Sequence, residues 1–301
     1  MKSNKIICYP KVSRYEFGNY GIGGPGLGNM LFPWSRACVF ARDNHGILLS
    51  PAWAQIKPAR LLRGDMDRRN YSGYFKHNNE YWSGLKKIMA IFTTRIIDES
   101  QRHKAVLQNS VIVKFEGMAT LFEEIKSEST FIRQELLDIT REEHKKALCE
   151  DFSRTLCVHI RLGDFQAPTP QALSNGQTNT RIPLSWYIKC VEKIRAQYPV
   201  PLKVCVFSDG SNEELGEMLS MKDTHRADYG SAVADLLALS CGKILVASGS
   251  TFSMWASYLG RMDVIWYKGQ LKQKLYHDGE ALEVEWDGED NSLDNMFKNR
   301  H

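Results

Sequence analysis

A chain of 301 residues is long for one hydrophobic core and ample for two α/β lobes. With 43% apolar and 25% charged residues it belongs with ordinary globular proteins, not with disordered or fibrous chains. The net charge of +4, from 39 basic and 35 acidic residues, speaks against a nucleic-acid binder and suits an anionic ligand such as a nucleotide, or weak attraction to acidic lipid.

In chain order, a short β-type stretch over residues 5–9 precedes a glycine-rich loop, Gly21-Ile22-Gly23-Gly24-Pro25-Gly26-Leu27-Gly28-Asn29. A helix is predicted next, with Met30, Leu31, Trp34, Ala37, Cys38 and Ala41 on one stripe and a stop at Asn44-His45-Gly46. Residues 47–49 predict a second strand. Residues 70–110 are polar and aromatic without a clear period. Residues 111–115 are strand-like, and charged helical material fills residues 131–151. The composition changes there, which predicts lobes of residues 1–150 and 151–301, the last residues packing back on the first lobe.

The second half alternates strands and helices. Residues 156–160 form a compact strand of the buried type. A loop with Pro168, Pro170, Asn175 and Gly176 follows, then a helix after Ser185 that aligns Tyr187, Ile188, Val191 and Ile194. Further strands are predicted at 202–207, 244–247 and 264–267, with helices around 232–239 and 252–259. Such alternation predicts a parallel sheet covered on both faces, with ligands held beyond the carboxyl ends of the strands.

Seven cysteines are scattered without CxxC pairs or finger-like spacing, several within apolar runs. They predict reduced core residues and a reducing compartment. The basic start Met1-Lys2-Ser3-Asn4-Lys5 leads into an apolar run that stops at Pro10, too short for a signal peptide, and no membrane-spanning run occurs. The expectation is a cytoplasmic protein, at most touching the inner face of the membrane.

Three segments carry chemistry. In His159-Ile160-Arg161-Leu162-Gly163-Asp164, strand alternation sends His159 and Arg161 to the same side. Arginine is a rigid fork of donors suited to phosphate, and Asp164 can orient it or accept from a hydroxyl. A surface ion pair beside a solvated histidine is the plainer alternative. In Ser248-Gly249-Ser250-Thr251-Phe252-Ser253, hydroxyls and free N–H groups at a helix start predict an anion site, a diphosphate being the natural occupant, or simply a serine cap. Asp235 on the preceding helix is either a base-reading carboxylate or a surface charge. The glycine-rich loop contains the GxGxxG spacing, but its proline, its distance from the first strand and the absence of an acid after the second strand disfavour NAD. Close backbone approach at Gly26 and Gly28 to a sugar diphosphate, with Asn29 as donor, fits better.

Together these segments resemble the α-1,2-fucosyltransferases, glycosyltransferase family 11. Gly26-Leu27-Gly28-Asn29-Met30-Leu31-Phe32 is similar to their GLGNQMFQ opening, and His159 to Asp164 to HxRRGD. Arg181-Ile182-Pro183-Leu184-Ser185-Trp186-Tyr187 resembles LPxSYY, and Val206-Phe207-Ser208-Asp209 resembles FSDD. Asp235 to Cys241 with Ser248 to Trp255 resembles DLxLMSxC and NSSFSWW. The five matches keep that order from Gly26 to Trp255.

The resemblance implies a GT-B fold: two Rossmann-like lobes facing each other across a nucleotide-sugar cleft. It implies GDP-fucose as donor, no divalent metal, and an oligosaccharide or lipid-linked glycan as acceptor. Arg161 would hold the β-phosphate, His159 and Asp235 the guanine, and Ser250, Thr251 and Ser253 the diphosphate. Asn29 would reach the phosphate or fucose. Asp164, then Asp209, are the nearest candidates for a base. Asp65-Met66-Asp67 does not sit after a strand as a metal-binding DxD would. Leu162 stands where the family has its second arginine, and Gly249 where it has a serine. A different GDP-deoxysugar, or a binding protein without catalysis, stays open. The acceptor is expected at the first lobe and the loop 166–180. Tyr71, Tyr74, Phe75, Tyr81 and Trp82 serve either ordinary packing or sugar stacking.

Overall fold

A computed structural model describes residues 5–56, 70–107, 110–167, 169, 171, 173, 175–177, 179–198, 200–276 and 281–298. Asp65, Met66, Asp67, Pro168 and Pro170 lie outside them. The chain divides into two compact units, Met1–His144 and Lys145–His301.

The first unit is built on a parallel sheet. Strand β1 (Ile6–Lys11) pairs with β4 (Ile47–Leu48) on one side and β7 (Val111–Glu116) on the other, and β7 pairs with β6 (Arg95–Asp98). Helix α1 (Leu27–Asp43) packs on β1 with Met30, Leu31, Trp34, Ala37, Cys38 and Ala41 buried, as the sequence stripe requires. It stops at Asn44, with His45 left-handed. The start of the glycine-rich segment is not loop. Strands β2 (Tyr15–Phe17) and β3 (Tyr20–Ile22) form a hairpin, joined in parallel by β5 (Ala54–Ile56). Helix α2 (Gly84–Thr93) arises in the stretch that showed no period, and α3 (Ser129–Ile139) is followed by short 3₁₀ turns.

The second unit has six parallel strands: β8 (Thr155–Ile160), β9 (Lys203–Ser208), β10 (Thr224–Arg226), β11 (Ile244–Ala247), β12 (Asp263–Tyr267) and β13 (Glu283–Trp286). Their spatial order is β10-β9-β8-β11-β12-β13. The chain runs outward from β8 through β9 to β10, then returns to the other side of β8 at β11. That reversal is the topological switch point of a Rossmann-type sheet, where ligands bind beyond the strand ends. Every residue of β8 and β11 is buried, so apolar side chains fill both faces.

Helix α4 (Leu184–Ala196) lays Trp186, Tyr187, Cys190, Val191 and Ile194 on this sheet. It begins at Leu184 with Pro183 at the cap position, so Ser185 is not its cap. Helices α5 (Gly216–Leu219), α6 (Ala232–Leu239) and α7 (Thr251–Gly260) complete the crossovers. In the last helix, α8 (Ser292–Lys298), Leu293, Met296 and Phe297 join the core of the second unit, covering the sheet edge that β13 adds.

Five cysteines are buried, Cys149 is exposed and Cys241 half-buried; all seven are free thiols. Burial pushes the Cys8 and Cys205 thiols up to about 12. Among the described residues, no helix is long and apolar enough to cross a membrane.

Candidate functional site at the switch point

Parallel register explains why distant residues meet. Ile160 is opposite Ser208, so the first residue beyond β9, Asp209, stands beside the first residues beyond β8. Val158 is opposite Val246, which brings Ser248 level with the end of β8.

Asp209 Oδ1 accepts the Leu162 N–H at 2.9 Å, and Asp209 Oδ2 lies 3.1 Å from Arg161 Nε. That contact is an ion pair but not a hydrogen bond, leaving the Arg161 Nε–H buried without an acceptor. Arg161 Nη2 also pairs with Asp164 Oδ1, and the guanidinium lies 4.9 Å from the centre of the Phe165 ring. The fork is thus fixed on three sides without being saturated. Glycine is required beside it, since a Cβ at Gly163 would sit 2.8 Å from Asp209 Oδ2. Asp164 and Asp209, the two candidate bases, both pair with Arg161.

His159 is buried. Its Nδ1 lies 2.7 Å from Ser253 Oγ and 3.1 Å from Ser248 Oγ, and its ring packs on Phe252. Burial, with the charge of Arg161 acting in the same direction, pushes its imidazole down to about 3 against the weaker pull of Asp209. At neutral pH it is an uncharged partner for hydroxyls. Ser248 Oγ touches Ser250 Oγ at 3.0 Å and Ser253 Oγ at 3.1 Å. Ser250 is the N-cap of α7, accepting the Ser253 N–H, and Thr251 is the first residue of that helix. A positive helix end therefore faces the switch point. The serines close the helix, and its N-terminal end carries the positive pole of the helix dipole.

Asp235 lies in the first turn of α6, behind the N-cap Ser231, and accepts the Tyr229 N–H at 3.3 Å. Burial raises its carboxyl to about 6, partly offset by that N–H. Tyr229 stacks on Phe207 with centroids 6.2 Å apart. In the first unit, Gly26 is the N-cap of α1 with no side-chain cap, and Gly28 and Asn29 occupy its first turn. Tyr71 Oη accepts the Leu27 N–H at 2.9 Å. Tyr71, Tyr74 and Tyr81 are buried, which favours packing as their main role.

One residue escaped sequence reading. Gln270, in the turn after β12, is 1% exposed. Its Nε2 donates to Gln177 O at 3.4 Å, while Oε1 is buried without a partner and points at Gly249. No motif marks it. Leu162, which stands at the second-arginine position of the resembled motif, is buried in the core cluster against Gly210. Its side chain does not belong to the polar site, so its identity says nothing against catalysis. Among the described residues, no three His, Cys, Asp or Glu side chains cluster as metal ligands.

A Rossmann-type sheet with an arginine, a helix N-terminus and a hydroxyl cluster at its switch point defines a nucleotide- or nucleotide-sugar-handling α/β protein. A family model described as Glycosyl transferase family 11 matches residues 95–290. The chain belongs to that family and is a glycosyltransferase. Among solved structures it is similar to NodZ alpha-1,6-fucosyltransferase co-crystallized with GDP, at 14% identity and TM-score 0.53, covering 88% of this chain and 96% of that one. Fucosyltransferase NodZ from Bradyrhizobium gives 14% and 0.52, covering 86% and 94%. A mutant of Arabidopsis thaliana FUT1 in complex with GDP gives 13% and 0.50, covering 88% and 71%. At such identities the likeness is one of fold. No curated protein sequence matches the chain.

Proposed function

We propose that the chain transfers L-fucose from GDP-fucose to a glycan hydroxyl, inverting the anomeric carbon and forming an α-1,2 linkage. The observation that carries this reading is the incompletely paired Arg161 guanidinium beside the N-terminus of α7. Cleaving the donor builds negative charge on the departing diphosphate and oxocarbenium character on the sugar. Arg161 and the α7 N-terminus stabilise that charge, so no divalent metal is required. Their preorganisation by Asp209, Asp164 and Phe165 removes the cost of reorienting donors during reaction. His159 and Asp235 contact the guanine, Ser250, Thr251 and Ser253 the diphosphate, and the Gly26–Asn29 turn the sugar diphosphate. The acceptor hydroxyl attacks from the face opposite the leaving group. The acceptor is an oligosaccharide or lipid-linked glycan, met in the cytoplasm at the inner membrane face.

Calorimetry with GDP, UDP and NAD, with and without EDTA, tests the donor. Tight GDP binding that survives EDTA is expected. Arg161→Ala should weaken it about 10- to 100-fold, the worth of one charge-assisted hydrogen bond of ~1.5–3 kcal/mol. A preference for UDP or NAD would sink the assignment.

A further inference from the structure

Helix α2 presents an apolar stripe to solvent. Leu85, Met89 and Phe92 are 79%, 64% and 84% exposed, and their i, i+4, i+7 spacing puts them on one face. Single exposed apolar residues are ordinary, whereas three large ones in a row mark an interaction surface.

The opposite face explains why the helix cannot roll to bury them. Lys87 is 1% exposed, and its Nζ donates to Glu16 Oε2 at 3.1 Å and to Ser50 O at 2.7 Å. Glu16 in turn accepts from Tyr9 Oη and from the Val12 and Ser13 N–H groups. Rotating the helix would strip a buried ion pair of its partners, a large penalty. Ala90 and Ile91 pack on Ile7, Tyr9, Leu49 and Ile112 beside that anchor. The stripe is thus held outward.

Cations flank it toward both ends of the helix, with Glu80 the nearest acid before it in sequence. Lys5 and Lys86 lie over the Trp82 ring at 5.9 and 4.2 Å, and Lys86 and Arg95 are exposed at either end of the helix. The helix has no acidic residue, and the next acid downstream, Asp98, is in register with Lys114. We infer that the Leu85–Met89–Phe92 face docks on an anionic lipid bilayer, lying in the interface rather than crossing it. Ten residues span only about 15 Å, half the hydrocarbon thickness. Apolar side chains with flanking lysine, arginine and tryptophan are what an interfacial helix needs. A second copy of the chain would bring the same cations face to face, so self-association is disfavoured.

Co-sedimentation of the full chain with phosphatidylglycerol–phosphatidylethanolamine vesicles and with phosphatidylcholine vesicles tests this. Salt-sensitive binding to the anionic vesicles is expected. The Leu85→Gln, Met89→Gln, Phe92→Gln triple variant should lose at least about tenfold in partitioning. Lys86→Gln with Arg95→Gln should weaken binding and flatten its salt dependence. Far-UV circular dichroism and GDP binding check that the variants fold. As an independent readout, Phe92→Trp should add fluorescence that brominated lipid quenches. No binding by the wild type, unchanged partitioning of the triple variant, or no added quenching would overturn the inference. So would a dimer in ultracentrifugation that the triple variant dissociates. Binding is read without donor, so failure of the GDP-fucose assignment gives a separate result.

Discussion

The contact between Gly249 and Gln270 can be tested by a double-mutant cycle. A Cβ at position 249 would sit 2.0 Å from Gln270 Oε1 and 2.9 Å from its Cδ, well inside van der Waals contact. Gln270 is almost wholly buried and tied to Gln177 O, so its amide has little room to retreat. Gly249 has no positive φ, and alanine there meets a packing problem rather than a backbone one. Overpacking of this kind costs about 1–3 kcal/mol. In a unit of this size each kcal/mol shifts Tm by about 2–4 °C, so Gly249→Ala should lower Tm by roughly 2–12 °C. Gln270→Ala alone loses packing and one long hydrogen bond but also removes an orphaned buried oxygen. In the double variant the clash has no second partner. Urea denaturation should therefore give a coupling energy of about 1–2 kcal/mol, the pair being less destabilised than the sum of the singles. Additivity within about 0.5 kcal/mol would refute the contact. GDP titration adds a second reading, since displacing the 248–250 loop should weaken binding in Gly249→Ala and restore it partly in the pair.

Asp235, raised to about 6 from an ordinary 3.8, binds its proton more tightly folded than unfolded. Stability should then fall as pH rises from about 4 to 6, by up to ~3 kcal/mol. Asp235→Asn should be more stable than the wild type at pH 8 and equal to it below about pH 4 in urea melts, while binding GDP more weakly. A variant no more stable at pH 8 would contradict the burial argument. His159 acts with the opposite sign, its folded value of about 3 lying below the ordinary 6.5. The stability it contributes is complete above about pH 6.5 and lost as pH falls toward 3, so His159→Gln should unfold over a shallower acid range. Gly176 combines φ +62° with a Cβ position 2.1 Å from Gly269 O; Gly176→Ala should lower Tm more than Gly216→Ala, where nothing lies within 4 Å.

The second unit was legible because its strands are buried on both faces. Residues 204–207 and 244–247 are unbroken apolar runs and 156–160 is broken only by His159, so the polar residues after them had to stand at the carboxyl edge. Strands that obey a different pattern stayed hidden. In β13, Glu283 accepts the Leu275 and Tyr276 N–H groups and Glu285 accepts the Leu271 N–H. Two carboxylates serving loop backbone look like surface charge in the sequence. β10 is three residues long at a sheet edge, with His225 exposed. In the first unit, the hairpin β2–β3 turns Glu16 inward and Tyr15 and Phe17 outward, the reverse of the usual alternation. Helix α2 does the same with Lys87, burying a cation while Leu85, Met89 and Phe92 face out, so its apolar stripe points away from the core.

The two departures from the family pattern sharpen what motif comparison measures. Leu162 and Gly249 each stand where the motifs that this chain resembles have a polar residue. In the fold they are packing decisions. Leu162 fills space above Gly210, where a Cβ would meet its Cδ1 at 2.4 Å, so the leucine and the glycine define one another. Gly249 gives way to Gln270, which brings a carboxamide from the next strand's turn to the edge of the hydroxyl cluster. At position 249 a polar neighbour, Gln270, stands close to the missing side chain, whereas at 162 the leucine fills apolar space over Gly210. The polar apparatus of Arg161, Asp209, His159, Ser248, Ser250 and Ser253 is undisturbed by either change. A motif score treats positions singly, whereas the switch point depends on pairs set by strand register. On that ground the transferase reading is stronger than the altered motifs alone suggest.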